Sequence, residues 1–192
     1  MRDLYFYPLA LIVIAAIVAF AVLPGLNRAA ENQQNILTNG FVLTGDDLQK
    51  LTAAPTTFVE FKTDLNGAVT NARIFGNMPR DMAPASAGVF GTLSSGYLKA
   101  FAGKSLEIRV RARKSANSSL DQFDFGFFTP GAGASGWKKF TLADTFKDID
   151  YTYDAPVSLA ENQVSYVGIW PGDKGNSQAM DVEYLSVKIA QP

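Results

Sequence analysis

Residues 4–27 carry no charged side chain, and residues 9–23 consist only of Leu, Ile, Val, Ala and Phe. A helix rising about 1.5 Å per residue needs roughly twenty apolar residues to cross the ~30 Å hydrocarbon core of a bilayer. Residues 4–23 meet that length. Pro8 suits a first helical turn, where its missing N–H costs nothing, and Pro24-Gly25 ends the helix. Tyr5, Phe6 and Tyr7 stand where an interfacial aromatic belt belongs. The expectation is one transmembrane helix. A cytoplasmic tail and anchor fill residues 1–27, a polar, alanine-containing tether fills 28–39, and an exported domain fills 40–192.

Two readings of this segment compete. Ala19-Phe20-Ala21 has the small-residue spacing of a signal-peptide cleavage site. The amino-terminal region is hardly basic, however, and the apolar run continues to Leu23, which favours an uncleaved anchor. Charge says little about orientation, since Arg2 is offset by Asp3 and Arg28 by Glu31. A very short tail ahead of a large C-terminal domain favours a single-pass inner-membrane protein with a cytoplasmic N-terminus and a periplasmic domain. Ala15 and Ala19, four apart on one helical face, are the candidates for close packing against another membrane helix.

The chain has no cysteine and no histidine. An exported domain without cysteine has no disulfides and must be held by packing. Lack of histidine removes the commonest general base and metal ligand, so Ser-His-Asp, Cys-His and histidine-ligated zinc chemistry are excluded within this chain. The net charge of −1 argues against nucleic acid as a partner. No residue pattern calls for a cofactor or metal, and no catalytic set is expected.

Beyond the tether, Asp46-Asp47-Leu48-Gln49-Lys50-Leu51 reads as one short helix capped by Thr44 or Asp46. Strand signals dominate afterwards. They cover residues 57–62, 69–75, 88–93, 105–113, 137–142, 164–170 and 182–189, with a further strand around Ile149, Tyr151 and Tyr153. In the clearest of them Leu106, Ile108, Val110 and Ala112 face one way and Glu107, Arg109, Arg111 and Arg113 the other. Phe123, Phe125 and Phe127 share a face. Residues 164–170 are almost wholly apolar, as in a strand buried on both sides. Tyr184-Leu185 breaks the alternation of the last strand like a bulge. Eight to ten short strands predict a mainly β fold, an antiparallel β-sandwich of jelly-roll type behind one N-terminal transmembrane α-helix.

Three segments carry a family resemblance. Residues 103–113 resemble the long core strand of galactose-binding-domain-like jelly rolls. Gly136-Trp137-Lys138-Lys139-Phe140-Thr141-Leu142 is similar to their Gly-Trp plus alternating strand. Tyr166-Val167-Gly168-Ile169-Trp170-Pro171 with residues 181–187 resembles their final strand pair. The resemblance covers about residues 88–190. It implies a carbohydrate-binding-module-type or protein-interaction domain rather than an enzyme. Ligand residues in that family lie on variable loops, so none carries over by position.

The candidate ligand or partner residues are Trp137, Trp170 and Tyr97, which offer broad aromatic faces, and the basic row Arg109, Arg111 and Arg113. Trp170, ending an apolar strand, also fits core packing. The arginine row fits a solvated sheet face better, with cross-strand acids such as Asp124, Asp148 or Asp150. Gly131-Ala132-Gly133-Ala134-Ser135-Gly136 matches the dinucleotide-binding pattern in letters alone. The alternating Trp137-Lys138-Lys139-Phe140 follows it in place of a helix, so it reads as a loop between strands. Asp148 and Asp150 share a strand face and suit solvent better than glycosidic hydrolysis. Asp121, Asp124 and Asp181 form no Ca²⁺ loop of the EF-hand type. Asn117-Ser118-Ser119 is a glycosylation sequon that matters only in a glycosylating host. Two functions follow as expectations. One is a membrane-anchored, non-catalytic binding module for an envelope glycan. The other is an accessory subunit of an inner-membrane complex, with its helix packed among other helices.

Overall fold

The structure, a computed structural model, describes residues 33–157, 164–172 and 178–191. The predicted anchor, with Ala15 and Ala19, lies outside the described residues. Among the described residues no helix is long and apolar enough to cross a membrane. The described chain opens with a helical segment, α1 (33–39), where the sequence suggested a plain tether. Its Ile36 packs against the edge of the core.

Eleven strands and two short helices follow. They are β1 (Phe41–Thr44), a 3-10 turn (Gly45–Lys50), β2 (Thr52–Ala53), β3 (Thr57–Thr63), β4 (Val69–Gly76), β5 (Val89–Leu93), α2 (Ser95–Phe101), β6 (Ser105–Lys114), β7 (Gln122–Thr129), β8 (Gly133–Thr141), β9 (Lys147–Asp154), β10 (Ser165–Pro171) and β11 (Ala179–Ile189). They form two antiparallel sheets. One has the order β3-β4-β11-β6-β9, with β1 also on β11, and the other has the order β2-β5-β10-β7-β8. The chain is thus a mainly β antiparallel sandwich. The strands read from alternation are all present. The two shortest, β1 and β2, carry no readable alternation, because four and two residues are too few to show a period.

The alternation of β6 is realised as written. Leu106, Ile108, Val110 and Ala112 are fully buried, while the charged residues between them are half-exposed. Phe123, Phe125 and Phe127 of β7 turn to the same core from the other sheet. The bulge falls one residue earlier than the sequence suggested. Register shifts between Val182 and Tyr184, at the point where β11 leaves β4 and takes up β1. The Thr44 side chain does not cap the following turn. Its hydroxyl faces the Glu183 carbonyl at 3.4 Å. The Asp46 carboxylate instead accepts a hydrogen bond from the Val69 N–H at 2.9 Å, tying the turn to β4. The glycine-rich stretch is not wholly loop either, because β8 already begins at Gly133. A strand, not a helix, follows it, so there is no helix N-terminus to hold a pyrophosphate.

An aromatic seam joins the sheets along the β8/β9 side. Tyr151 of β9 meets Phe125 edge-on at 5.6 Å and stacks on Phe140 at 6.0 Å. Tyr153 meets Phe127 at 5.7 Å. The Tyr151 hydroxyl shares a 2.9 Å hydrogen bond with Ser135 Oγ, and Lys138 Nζ lies 4.6 Å from its ring centre. Burial holds the Tyr151 phenol protonated well above the ordinary tyrosine range, more than the Ser135 hydrogen bond draws it down.

Two predictions follow from the seam. Phe125→Ala should cost about 3–5 kcal/mol of stability in urea denaturation, because a fully buried ring is lost from a packed core. Above about pH 10 the unfolded chain releases the Tyr151 proton while the folded chain retains it, so stability should fall as pH rises. Unfolding midpoints measured between about pH 8 and 11 should show this fall, and Tyr151→Phe should remove part of it.

Candidate functional site

Alternation also decides what lies on the outer face of the five-stranded sheet. The phenylalanines that face the core on β7 leave Asp124, Gly126 and Phe128 pointing outward. On β10 the outward residues are Tyr166, Gly168 and Trp170. Register sets Trp137 of β8 beside Gly126, Gly126 beside Gly168, and Gly168 beside Phe90 of β5. One row further along lie Lys139, Asp124 and Trp170. Four neighbouring strands therefore each give one half-buried aromatic: Trp137, Phe128, Tyr166 and Phe90. With strands ~4.8 Å apart, this stripe crosses about 14 Å of sheet.

The two central glycines make the packing possible. A Cβ at Gly126 would stand 2.5 Å from Phe128 Cζ, and one at Gly168 would stand 2.2 Å from the Ala87 carbonyl oxygen. Phe128 thus folds over Gly126, and the connection between β4 and β5, residues 77–88, passes over Gly168. That connection is rooted by the Asn77 N–H, which donates to the Thr56 carbonyl at 3.0 Å. Thr56 itself holds φ at 74°, a left-handed conformation costly for a β-branched residue, at the position after Pro55 where such a turn favours glycine.

Beside this connection opens a cleft of about 690 Å³. Arg80, Asp124, Lys139, Trp170, Gln178 and Asp121 are among its lining residues. The Arg80 Nε–H donates to the Asp124 carboxylate at 2.9 Å, and the guanidinium lies 5.6 Å from the Trp137 ring centre. Trp137 meets Phe128 at 4.8 Å and Trp170 edge-on at 6.4 Å. The Asp124 side chain is only 16% exposed, whereas that of Arg80 is 41% exposed. The indole is fixed by packing, and the arginine is fixed by an ion pair and a cation–π contact. Asp121 is bonded to Lys114 at 2.6 Å, which raises the Lys114 pKa.

The structure separates the residues proposed from sequence. Trp170 lines the cleft, and Trp137 stands next to it against Arg80 and Trp170. Trp170 is only 3% exposed, and its Nε1–H has no hydrogen-bond partner among the described residues. Tyr97 is elsewhere, on α2, with its ring against Phe41 at 5.5 Å and Phe101 at 5.9 Å. It packs on the core and presents no free loop ring. Arg109, Arg111 and Arg113 line the outer face of the other sheet. Arg109 pairs with Glu107 at 2.9 Å, Arg111 with Glu183 at 2.9 Å and Asp148 at 3.4 Å, and Arg113 with Asp181 at 3.1 Å. Asp148 is therefore a cross-strand acid of that row. Asp124 is not, because it lies in the opposite sheet and holds Arg80. Asp150 faces Arg109 in register and Asp148 faces Arg111, so both aspartates lie on this charged face. Among the described residues no group of three or more Asp or Glu side chains is placed to hold a metal ion.

Arg80, Asp124, Lys139 and Phe128 were not singled out from sequence as site residues. The outward placement of Asp124 and Phe128 was implicit in the β7 alternation. Nothing in the Met, Pro and Ala-rich stretch around Arg80 signals that it returns to a tryptophan more than fifty residues later.

No protein-family model matches the sequence, and no curated protein matches it. Solved structures similar to this one include carbohydrate-binding modules. The CBM22-2 xylan-binding domain from Paenibacillus barcinonensis Xyn10C aligns with a TM-score of 0.49 and 12% identity, over 78% of this chain and 99% of that one. A CBM4 structure aligns at 0.45 and 10% identity, over 78% of this chain and 86% of that one. The carbohydrate binding module CBM6cm-2 from Cellvibrio mixtus lichenase 5A, in complex with cellotriose, aligns at 0.42 and 13% identity, over 79% of this chain and the whole of that one.

The two tryptophans should respond differently to truncation. Trp170→Ala removes a buried ring and should cost about 3–5 kcal/mol. Trp137→Ala removes a half-exposed one and should cost about half as much. Urea denaturation of the two variants side by side measures the difference, and equal costs would place Trp137 in the core.

Proposed function

We propose that the chain is a membrane-anchored, non-catalytic module that binds a glycan in the cleft beside Trp137 on its exported face. The supporting observation is the combination found there. A packed, partly exposed indole, Trp137, stands beside an open and largely polar cleft, linked to it by its contacts with two lining residues, Arg80 and Trp170. A sugar ring needs both, an apolar face to cover its C–H surface and directional donors and acceptors for its hydroxyls. The absence of histidine and cysteine from the sequence accords with binding without covalent chemistry. The uncharged segment over residues 4–23 supports the anchored, extracytoplasmic placement of the domain.

The test is a titration of the full-length chain, solubilised in mild detergent, against a broad panel of neutral and acidic oligosaccharides. Binding of at least one class is expected, and Trp137→Ala should weaken it by about tenfold or more, as stacking on an aromatic ring contributes about that much. A panel with no binder sinks the reading.

A further inference from the structure

We infer that the cleft selects glycans bearing carboxylates, that is, hexuronate-containing chains, and that Arg80 receives the acid group. This rests on the glycan-binding reading and adds the ligand's charge to it.

The cleft has a surplus of unsatisfied donors. Arg80 spends only its Nε–H on Asp124. Its two terminal nitrogens, with four N–H groups by the chemistry of guanidinium, have no partner among the described residues. Lys139 stands across from Asp124 in register and makes no ion pair among the described residues. The Asp124 carboxylate, only 16% exposed, therefore sits beside two cations, while Asp81 and Asp121 also line the cleft. A carboxylate placed against the free edge of the Arg80 guanidinium and near Lys139 satisfies these groups.

Arg80 is also pre-set in orientation. The Asp124 bond fixes one edge of the guanidinium, and the Trp137 ring lies against it. A planar fork held in this way offers two parallel N–H bonds to a carboxylate at reduced entropic cost. On the other sheet Arg113 has the same arrangement, an Nε–H bond to Asp181 and a cation–π contact with Phe146, but no cleft opens beside it among the described residues. Two acids oppose the selection. Asp121 is already engaged by Lys114. Asp81 is exposed on the connection next to Arg80, and the bidentate geometry must outweigh its repulsion.

The experiment is calorimetric titration of the full-length chain with an oligogalacturonate, its methyl ester of the same length, and a polyglutamate peptide. The acid should bind at least about tenfold more tightly than the ester, the scale of one charge-assisted hydrogen-bond pair, and the gap should narrow with added salt. Arg80→Lys, which keeps the charge and loses the fork, should reduce that gap, and Lys139→Gln should reduce it less. Each variant should lose more affinity for the acid than for the ester. Equal binding of acid and ester overturns the inference and leaves the glycan reading standing. Binding of polyglutamate as tightly as oligogalacturonate overturns it in favour of an acidic peptide. Failure of every glycan overturns both readings.

Discussion

The sandwich is held by contact between two sheets with no covalent cross-link, and the aromatic seam along β8 and β9 carries much of that contact. Without cysteine there is no disulfide to limit the unfolded ensemble, so the native state depends on the area the sheets bury against each other. Phe125, Phe127 and Phe140 come from one sheet, and Tyr151 and Tyr153 from the other. The tyrosines are suited to this border. Their rings enter the core while their hydroxyls stay near polar partners, as with Tyr151 and Ser135. The seam also bears on the site. Ser135 accepts the Phe127 N–H at 2.8 Å at the irregular start of β8, and Trp137 lies two residues further on. The packing that closes the sandwich therefore sets the strand that presents the indole.

The outer faces of the two sheets use charge in opposite ways. On β6 and β11 acids and arginines alternate across neighbouring strands, and the ion pairs close on one another. Such exposed pairs add little stability each, yet they leave few free charges to offer a ligand. Asp181 is the buried exception. It accepts hydrogen bonds from Ser115 Oγ at 2.5 Å and from Arg113 Nε, and so fixes the turn after β6 to the last strand. On β7 and β8 the pairing is incomplete. Asp124 is shared between Arg80 and the neighbourhood of Lys139, and aromatic rings take the place of further acids. A surface with uncommitted donors and a fixed aromatic wall is suited to recognition, whereas a surface of closed ion pairs is suited to staying solvated.

The fold was largely legible because the side-chain period of a strand is two and both sheets bury one face. Leu106, Ile108, Val110 and Ala112 announced β6, and Phe123, Phe125 and Phe127 announced β7. The bulge was visible as a broken alternation and was misplaced by one residue, because register depends on the partner strand. Short elements gave no period to read, so β1, β2 and α2 were missed. Tyr97 illustrates the same limit. Its aromatic character was evident, but only the docking of α2 against Phe41 made it a packing residue.

By itself the sequence determined the mainly β character of the chain, the identity of its core faces, the exclusion of cysteine and histidine chemistry, and a membrane-length apolar segment. Each of these is local or compositional, a matter of residue type and spacing. Only the tertiary structure decided which polar residues meet. Arg80 reaches Asp124 across forty-four residues, and Trp137 meets Trp170 across thirty-three. Such meetings depend on strand order and on the path of the β4–β5 connection. The sequence offered Asp124, Asp148 and Asp150 as acids for the arginine row, but Arg111 and Arg113 also find Glu183 and Asp181 on β11, the last strand among the described residues. Apart from the same-strand pair Glu107–Arg109, charge pairing in this sheet is set across strands, and a pattern read along one strand does not contain it.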